Sequence, residues 1–69
     1  MAPLDVGAVT EKAMEQAHRA GLPDIATIVT DVEKRRNGDW WVTVRSGSSN
    51  FKAVISDDSG AIKEWRKNR

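Results

Sequence analysis

Val32-Glu33-Lys34-Arg35-Arg36-Asn37-Gly38-Asp39-Trp40-Trp41-Val42-Thr43-Val44 decides how this chain folds. Two alternating runs flank an Asn-Gly pair, the short-range signature of a β-hairpin. The length of the turn fixes which side chains share a face. A two-residue Asn37-Gly38 turn would set Trp40 beside Arg35 and Val42 beside Glu33. Charges would then enter the core, because a slip of one residue flips every side chain. A three-residue loop, Arg36-Asn37-Gly38, instead pairs Val32 with Val42 and Thr30 with Val44. It requires Gly38 in the left-handed region as a bulge residue, which glycine adopts without steric cost.

The same parity runs outward from this hairpin. Turn signals recur at Gly47-Ser48-Ser49-Asn50 and Asp57-Asp58-Ser59-Gly60. They divide four strands, at about Ile25 to Arg35, Trp40 to Ser46, Phe51 to Ser56 and Ala61 to Arg66. A four-residue loop at Gly47 to Asn50 sets Val44 opposite Ala53 and Val42 opposite Ile55. A four-residue loop at Asp57 to Gly60 sets Ile62 opposite Ile55.

One helix precedes the strands. Asp5 is its expected N-cap, and Val6, Val9, Ala13, Ala17 and Ala20 recur three or four apart as a single apolar stripe. Gly21 ends it and Pro23 prevents its resumption. The expected fold is α+β, an N-terminal helix on a three- to four-stranded antiparallel meander. Residues 1–4 form a leader, 5–66 the single domain and 67–69 a basic tail. The expected core is Val9, Ala13, Ala17, Ile28, Val32, Trp40, Val42, Val44, Phe51, Ala53, Ile55 and Ile62.

Size bounds the energetics. A chain of 69 residues buries a modest fraction of its surface, so its stability is expected at about 5 kcal/mol or less. No cysteine is present to staple it or to ligate a metal, and the lone His18 makes no zinc site by itself. The formal net charge is +1 from 11 basic and 10 acidic residues. That balance argues against nucleic acid as the main partner, although cations cluster at Lys34, Arg35 and Arg36 and again at Arg66, Lys67 and Arg69. No stretch approaches the roughly 20 apolar residues of a membrane span, and no signal-peptide pattern opens the chain. A cytosolic protein, or a mature or excised piece of a longer one, fits these features equally.

A single helix can cover one face of the sheet only. By the alternation, the other face carries Val29, Asp31, Glu33, Trp41, Thr43, Arg45, Lys52, Val54, Lys63 and Trp65. Trp and Arg are enriched at binding hot spots, so Trp41, Arg45, Lys52, Val54 and Trp65 are the expected interaction surface. Two acids, Asp31 and Glu33, share this face and oppose a nucleic-acid platform.

The residues of catalysis are not arranged for it. Ser46, Ser48, Ser49, Ser56 and Ser59 lie in or beside turns, far in sequence from His18. Asp57 and Asp58 lack the alternating ligands and closing Glu of a calcium loop, and side chain-to-backbone bonding in a turn accounts for them. No phosphate-cradling glycine loop precedes the helix. The expectation is a protein that is not an enzyme and uses no cofactor or metal.

Phe51-Lys52-Ala53-Val54-Ile55-Ser56-Asp57-Asp58-Ser59-Gly60-Ala61-Ile62 resembles the end of a PepSY domain, an alternating strand, an acidic Ser-Gly turn and a short apolar strand. Trp40-Trp41-Val42-Thr43-Val44 is similar to that family's preceding aromatic strand, and the helix ending at Gly21-Leu22-Pro23 to its opening helix. The resemblance covers about Asp5 to Trp65. It departs at Ser56, where the family often has Asp, and at Ala61, where it often has an acid. The resemblance implies a noncatalytic module that inhibits or chaperones a peptidase, in a family usually found after signal peptides, in propeptides or in membrane proteins. The expected function is therefore binding of a protein partner through the open sheet face or an edge strand. Self-pairing into a homodimer would use the same surfaces. The second reading is a small nucleic-acid binder that uses Lys34, Arg35, Arg36 and the C-terminal tail.

Overall fold

The Arg36-Asn37-Gly38 loop forms with the three residues that parity requires. In a computed structural model that describes residues 4–68, the Arg35 amide donates to the Asp39 carbonyl at 2.7 Å and the Gly38 amide to the Arg35 carbonyl at 3.2 Å. Gly38 takes a φ of +90°, open to glycine at little cost. The loop joins β1 (Thr27–Lys34) to β2 (Asp39–Ser46). Val32 pairs with Val42 and Glu33 with Trp41.

β3 (Ser49–Ser56) and β4 (Ile62–Lys67) complete an antiparallel sheet in the order β1-β2-β3-β4. Helix α1 (Val6–Arg19) lies over β1 and β2. The architecture is α+β with an N-terminal helix. Asp5 caps α1 by accepting from the Ala8 amide at 2.8 Å. At the other end Gly21 has a φ of +87°, with its amide donating to the His18 carbonyl and the Leu22 amide to that of Ala17. This double closure satisfies carbonyls that the helix leaves free. A 3₁₀ turn at Asp24–Ala26 then replaces the expected start of the first strand, and Ile25 stands almost fully exposed on it.

Val9, Ala13 and Ala17 of α1 meet Trp40, Val42, Val44, Ala53 and Ile55 of the sheet, all buried. Val29, Val32, Phe51, Ile62 and Trp65 pack around that cluster, half-buried. The alanines bring the helix close to the sheet because small side chains leave room for the two backbones to approach.

Three departures from the expected register reshape the sheet. At Thr30, β1 carries one residue more than β2, so Val29 rather than Thr30 opposes Val44. Such a bulge leaves one residue unpaired and bends the strand. It turns Val29 and Val32 together toward the core and puts Ile28, an expected core residue, outside at 57% exposure. Thr27 takes the inward place at the start of β1. Its hydroxyl donates to the Pro23 carbonyl at 2.6 Å and lies 2.9 Å from the Ser46 hydroxyl.

The second departure is a two-residue turn, Gly47-Ser48, where four residues were expected. Gly47 has a φ of +60°, as the first position of a type II′ turn demands. The pairing therefore moves by two residues: Val42 opposes Ala53, and Val44 opposes Phe51. A shift of two preserves the faces. Ser49 and Asn50 gain strand pairing, which outweighs their own preference for a loop.

The third departure lies in β4. Ile62 opposes Ile55 as expected, but Lys63 is an extra residue, so Trp65 opposes Ala53 and Glu64 opposes Val54. The bulge turns both Ile62 and Trp65 to the helix side. Trp65 therefore leaves the open face on which alternation placed it. Lys67, expected in the basic tail, is the last residue of β4, and the Asn68 amide donates to the Asn50 carbonyl at 2.7 Å. The expected leader is tied at Leu4, whose amide donates to Asp57 Oδ1 at 3.2 Å. The other leader residues and Arg69 lie outside the described residues. Among the described residues, no helix is long and apolar enough to cross a membrane.

Candidate interaction surface

The antiparallel register assembles the helix-free face in rows. One row is Glu33, Trp41, Val54 and Glu64, and the next is Asp31, Thr43, Lys52 and Arg66. Asp39 begins this face beside the first turn, and Arg45 ends it opposite Asn50.

Trp41 is the centre of the face. The Lys52 ammonium lies 3.4 Å from the centroid of its ring, and the Arg35 guanidinium carbon 4.2 Å. Arg35 aligns with Asp39 and Lys52 with Thr43, so the two cations reach the indole from rows on either side of it. Each contact gains about 0.5–1 kcal/mol at an exposed site, from the attraction of a cation to the negative ring face. Arg35 is also paired with Glu33, Nη1 to Oε2 at 2.8 Å. Indole and guanidinium are thus held in one arrangement by contacts within the chain itself. Beside them runs a groove of about 440 Å³ lined by Glu33, Arg35, Arg36, Asn37 and Trp41.

The expected surface residues divide by position. Trp41 and Lys52 meet on the open face, and Arg45 lies exposed at its far end with Nε donating to the Gly47 carbonyl at 3.2 Å. Val54 is on this face yet is only 8% exposed, since its row-mate Trp41 stands next to it. Val54 supports the indole and offers little area to a partner. Trp65 stacks on Phe51 on the helix side, centroids 5.1 Å apart and planes within 9°.

The basic clusters are divided in the same way. Lys34 opposes Trp40 on the helix side and reaches Asp57 Oδ2 at 3.6 Å, whereas Arg35 joins Trp41 on the other face. Arg66 lies beside Lys52 on the open face and contacts Glu64 at 3.3 Å, whereas Lys67 opposes Phe51 on the helix side. Alternation along a strand thus distributes both runs over two faces, so among the described residues neither run stays together as one patch. Arg69 lies outside the described residues.

Two further groups brace the site. Lys63, turned by its bulge, places Nζ 3.1 Å from both carboxylate oxygens of the largely buried Asp39. Asp57 is a structural hub. The indole N–H of buried Trp40 donates to its Oδ1 at 2.7 Å, and its own amide donates to the Gly38 carbonyl at 3.0 Å, so it ties the third turn to the first. The bond from Trp40, helped by Lys34 and the Leu4 amide, holds the Asp57 carboxyl below its ordinary value of 3.8, against an opposing push from burial. A buried indole N–H requires an acceptor, and that requirement is the sequence signal for Asp57's role beyond its turn. Among the described residues no group of three His, Cys, Asp or Glu is placed to hold a metal ion.

Comparison of the chain with protein-family models, with curated proteins and with solved structures gives no match.

Proposed function

We propose that this protein is a noncatalytic interaction module, PepSY-like in the sense of its sequence resemblance, which binds a protein partner through the helix-free face of its sheet. The observation that carries the reading is Trp41, a half-exposed indole fixed between Arg35 and Lys52 beside a groove. A large, rigid, amphipathic side chain loses little entropy when a partner covers it, and Trp and Arg recur at binding hot spots for that reason. The bulges at Thr30 and Lys63 lie in the two edge strands, where such irregularities hinder pairing with another strand. They favour docking on the face over strand addition at an edge. By the family resemblance, a peptidase is the first partner class to test.

The test compares capture by the immobilised domain and by Trp41→Thr, which keeps strand propensity while removing the indole. A partner retained by the wild-type domain and lost from the variant supports the reading. Equal capture by both, with the variant folded, refutes it.

A further inference from the structure

Resting on that reading of the open face, we infer that the segment it receives is an extended acidic stretch of a protein, with carboxylates at alternate positions. The charges on the face lead to this assignment. Arg35 pairs with Glu33 at 2.8 Å, Arg66 with Glu64 at 3.3 Å and Lys63 with Asp39 at 3.1 Å. Those acids are occupied. On this face three cations remain, Arg36, Arg45 and Lys52, for which no carboxylate lies within ion-pair distance among the described residues, against a single such acid on the same face, Asp31. The uncompensated charge of the face is positive although the chain as a whole is almost neutral.

The three cations follow the direction of β2. Arg36 stands at the first turn, Lys52 in the row of Thr43 and Arg45 near the second turn. From Asp39 to Arg45 the strand covers roughly 20 Å at about 3.3 Å per residue. Lys52 and Arg45 belong to rows two residues apart, roughly 7 Å, and that is the spacing of alternate side chains on an extended peptide. A strand-like segment laid along β2 therefore sets two alternate carboxylates over the rows of Lys52 and Arg45, and carries a further acid to Arg36 at the end of the strand.

The partner's chemistry follows from the donors. Arg36 offers a guanidinium fork that matches a carboxylate in bidentate fashion. Lys52 is held over the Trp41 ring by cation–π attraction, and its remaining N–H donors stay free for a partner. Cations approach the Trp41 indole from both flanking rows, so a stacking nucleobase would first have to displace one.

The experiment titrates the full 69-residue chain, ¹⁵N-labelled, with three short synthetic peptides and a mixed-sequence single-stranded oligonucleotide. The peptides alternate Glu with Ser, Lys with Ser, and Gly with Ser. The Glu-Ser peptide should move the Trp41 indole resonance and those of Lys52 and Arg36, and bind more weakly as salt rises. Lys52→Glu and, separately, Arg36→Glu should each weaken it about fivefold or more, the scale of one exposed ion pair lost and reversed. Arg36 lies exposed in a turn, so that variant keeps the fold. No response to the Glu-Ser peptide at low salt overturns the inference, as does tighter binding of the oligonucleotide at the same residues. If the Gly-Ser or Lys-Ser peptide moves those resonances equally, the acidic occupant is wrong and the open-face reading stands. If acidic binding instead maps away from Trp41, both fail.

Discussion

Replacing Trp65 with Ala tests the bulge at Lys63, which separates this fold from a plain alternating meander. The structure places Trp65 on the helix side, half-buried and stacked on Phe51 at 5.1 Å. An indole presents roughly 200 Å², and about two thirds of it or more is covered here. At about 25 cal/mol per Å² that burial is worth about 3 kcal/mol. Offset stacking adds about 1 kcal/mol. Trp65→Ala should therefore cost about 4 kcal/mol, most of the roughly 5 kcal/mol a domain of this size can hold. Urea denaturation followed by far-ultraviolet circular dichroism reads the loss directly, because the midpoint falls while the slope stays constant. A double-mutant cycle sharpens the test. Trp65→Ala and Phe51→Leu should couple by about 0.5–1.5 kcal/mol, and Trp41→Thr with Phe51→Leu should be additive. Were β4 free of the bulge, Trp65 would stand on the other face. The cycle would then show no coupling to Phe51, and the reasoning would be refuted.

Four further outcomes are expected. The native Asp57 carboxyl titrates below its unfolded value, so the unfolded chain binds more protons in that window; stability is complete above about pH 5 and falls as acid carries the pH down through the depressed value. Thermal midpoints between about pH 2 and 6 should show that loss, and Asp57→Asn should flatten it. Gly38→Ala forces a Cβ into a φ of +90° and should cost about 1–2 kcal/mol in the same denaturation assay. Ile55→Ala empties a fully buried site and should cost about 2–5 kcal/mol, whereas Ile28→Ala on the exposed side should cost about 0.5 kcal/mol or less. A mixed-sequence oligonucleotide column at about 50 mM salt should not retain the protein, and retention that fades steeply with salt would instead favour the nucleic-acid reading.

Much of the fold was legible because parity propagates. The alternation of Val32 with Glu33 and of Val42 with Trp41 allowed one turn length, and the structure has it. Gly21 and Pro23 marked the helix end by backbone chemistry alone. The bulges at Thr30 and Lys63 were not legible, because alternation assumes an equal residue count on paired strands. Only the competition for burial reveals them: Val29 with Val32, and Ile62 with Trp65, are three apart and both face inward. A bulge lets each pair do so while Asp31, Glu33 and Glu64 stay outside. The two-residue Gly47-Ser48 turn was hidden by the loop-forming character of Ser49 and Asn50, which strand pairing overrode. In the candidate site, Trp41 and Lys52 were placed by parity. In the sequence Arg35 is only one of a basic run, and its position over the indole depends on the turn geometry. Alternation puts Trp65 on the open face, and the one extra residue, Lys63, turns it to the helix side.

The sorting of the indoles carries the rest of the account, and nuclear Overhauser contacts from the indole rings measure it most directly. The Trp41 ring should show cross-peaks to the Lys52 methylenes and the Arg35 side chain, and the Trp65 ring to Phe51. Cross-peaks from Trp65 to Lys52, or from Trp41 to Val9 or Ala13 of the helix, would contradict it.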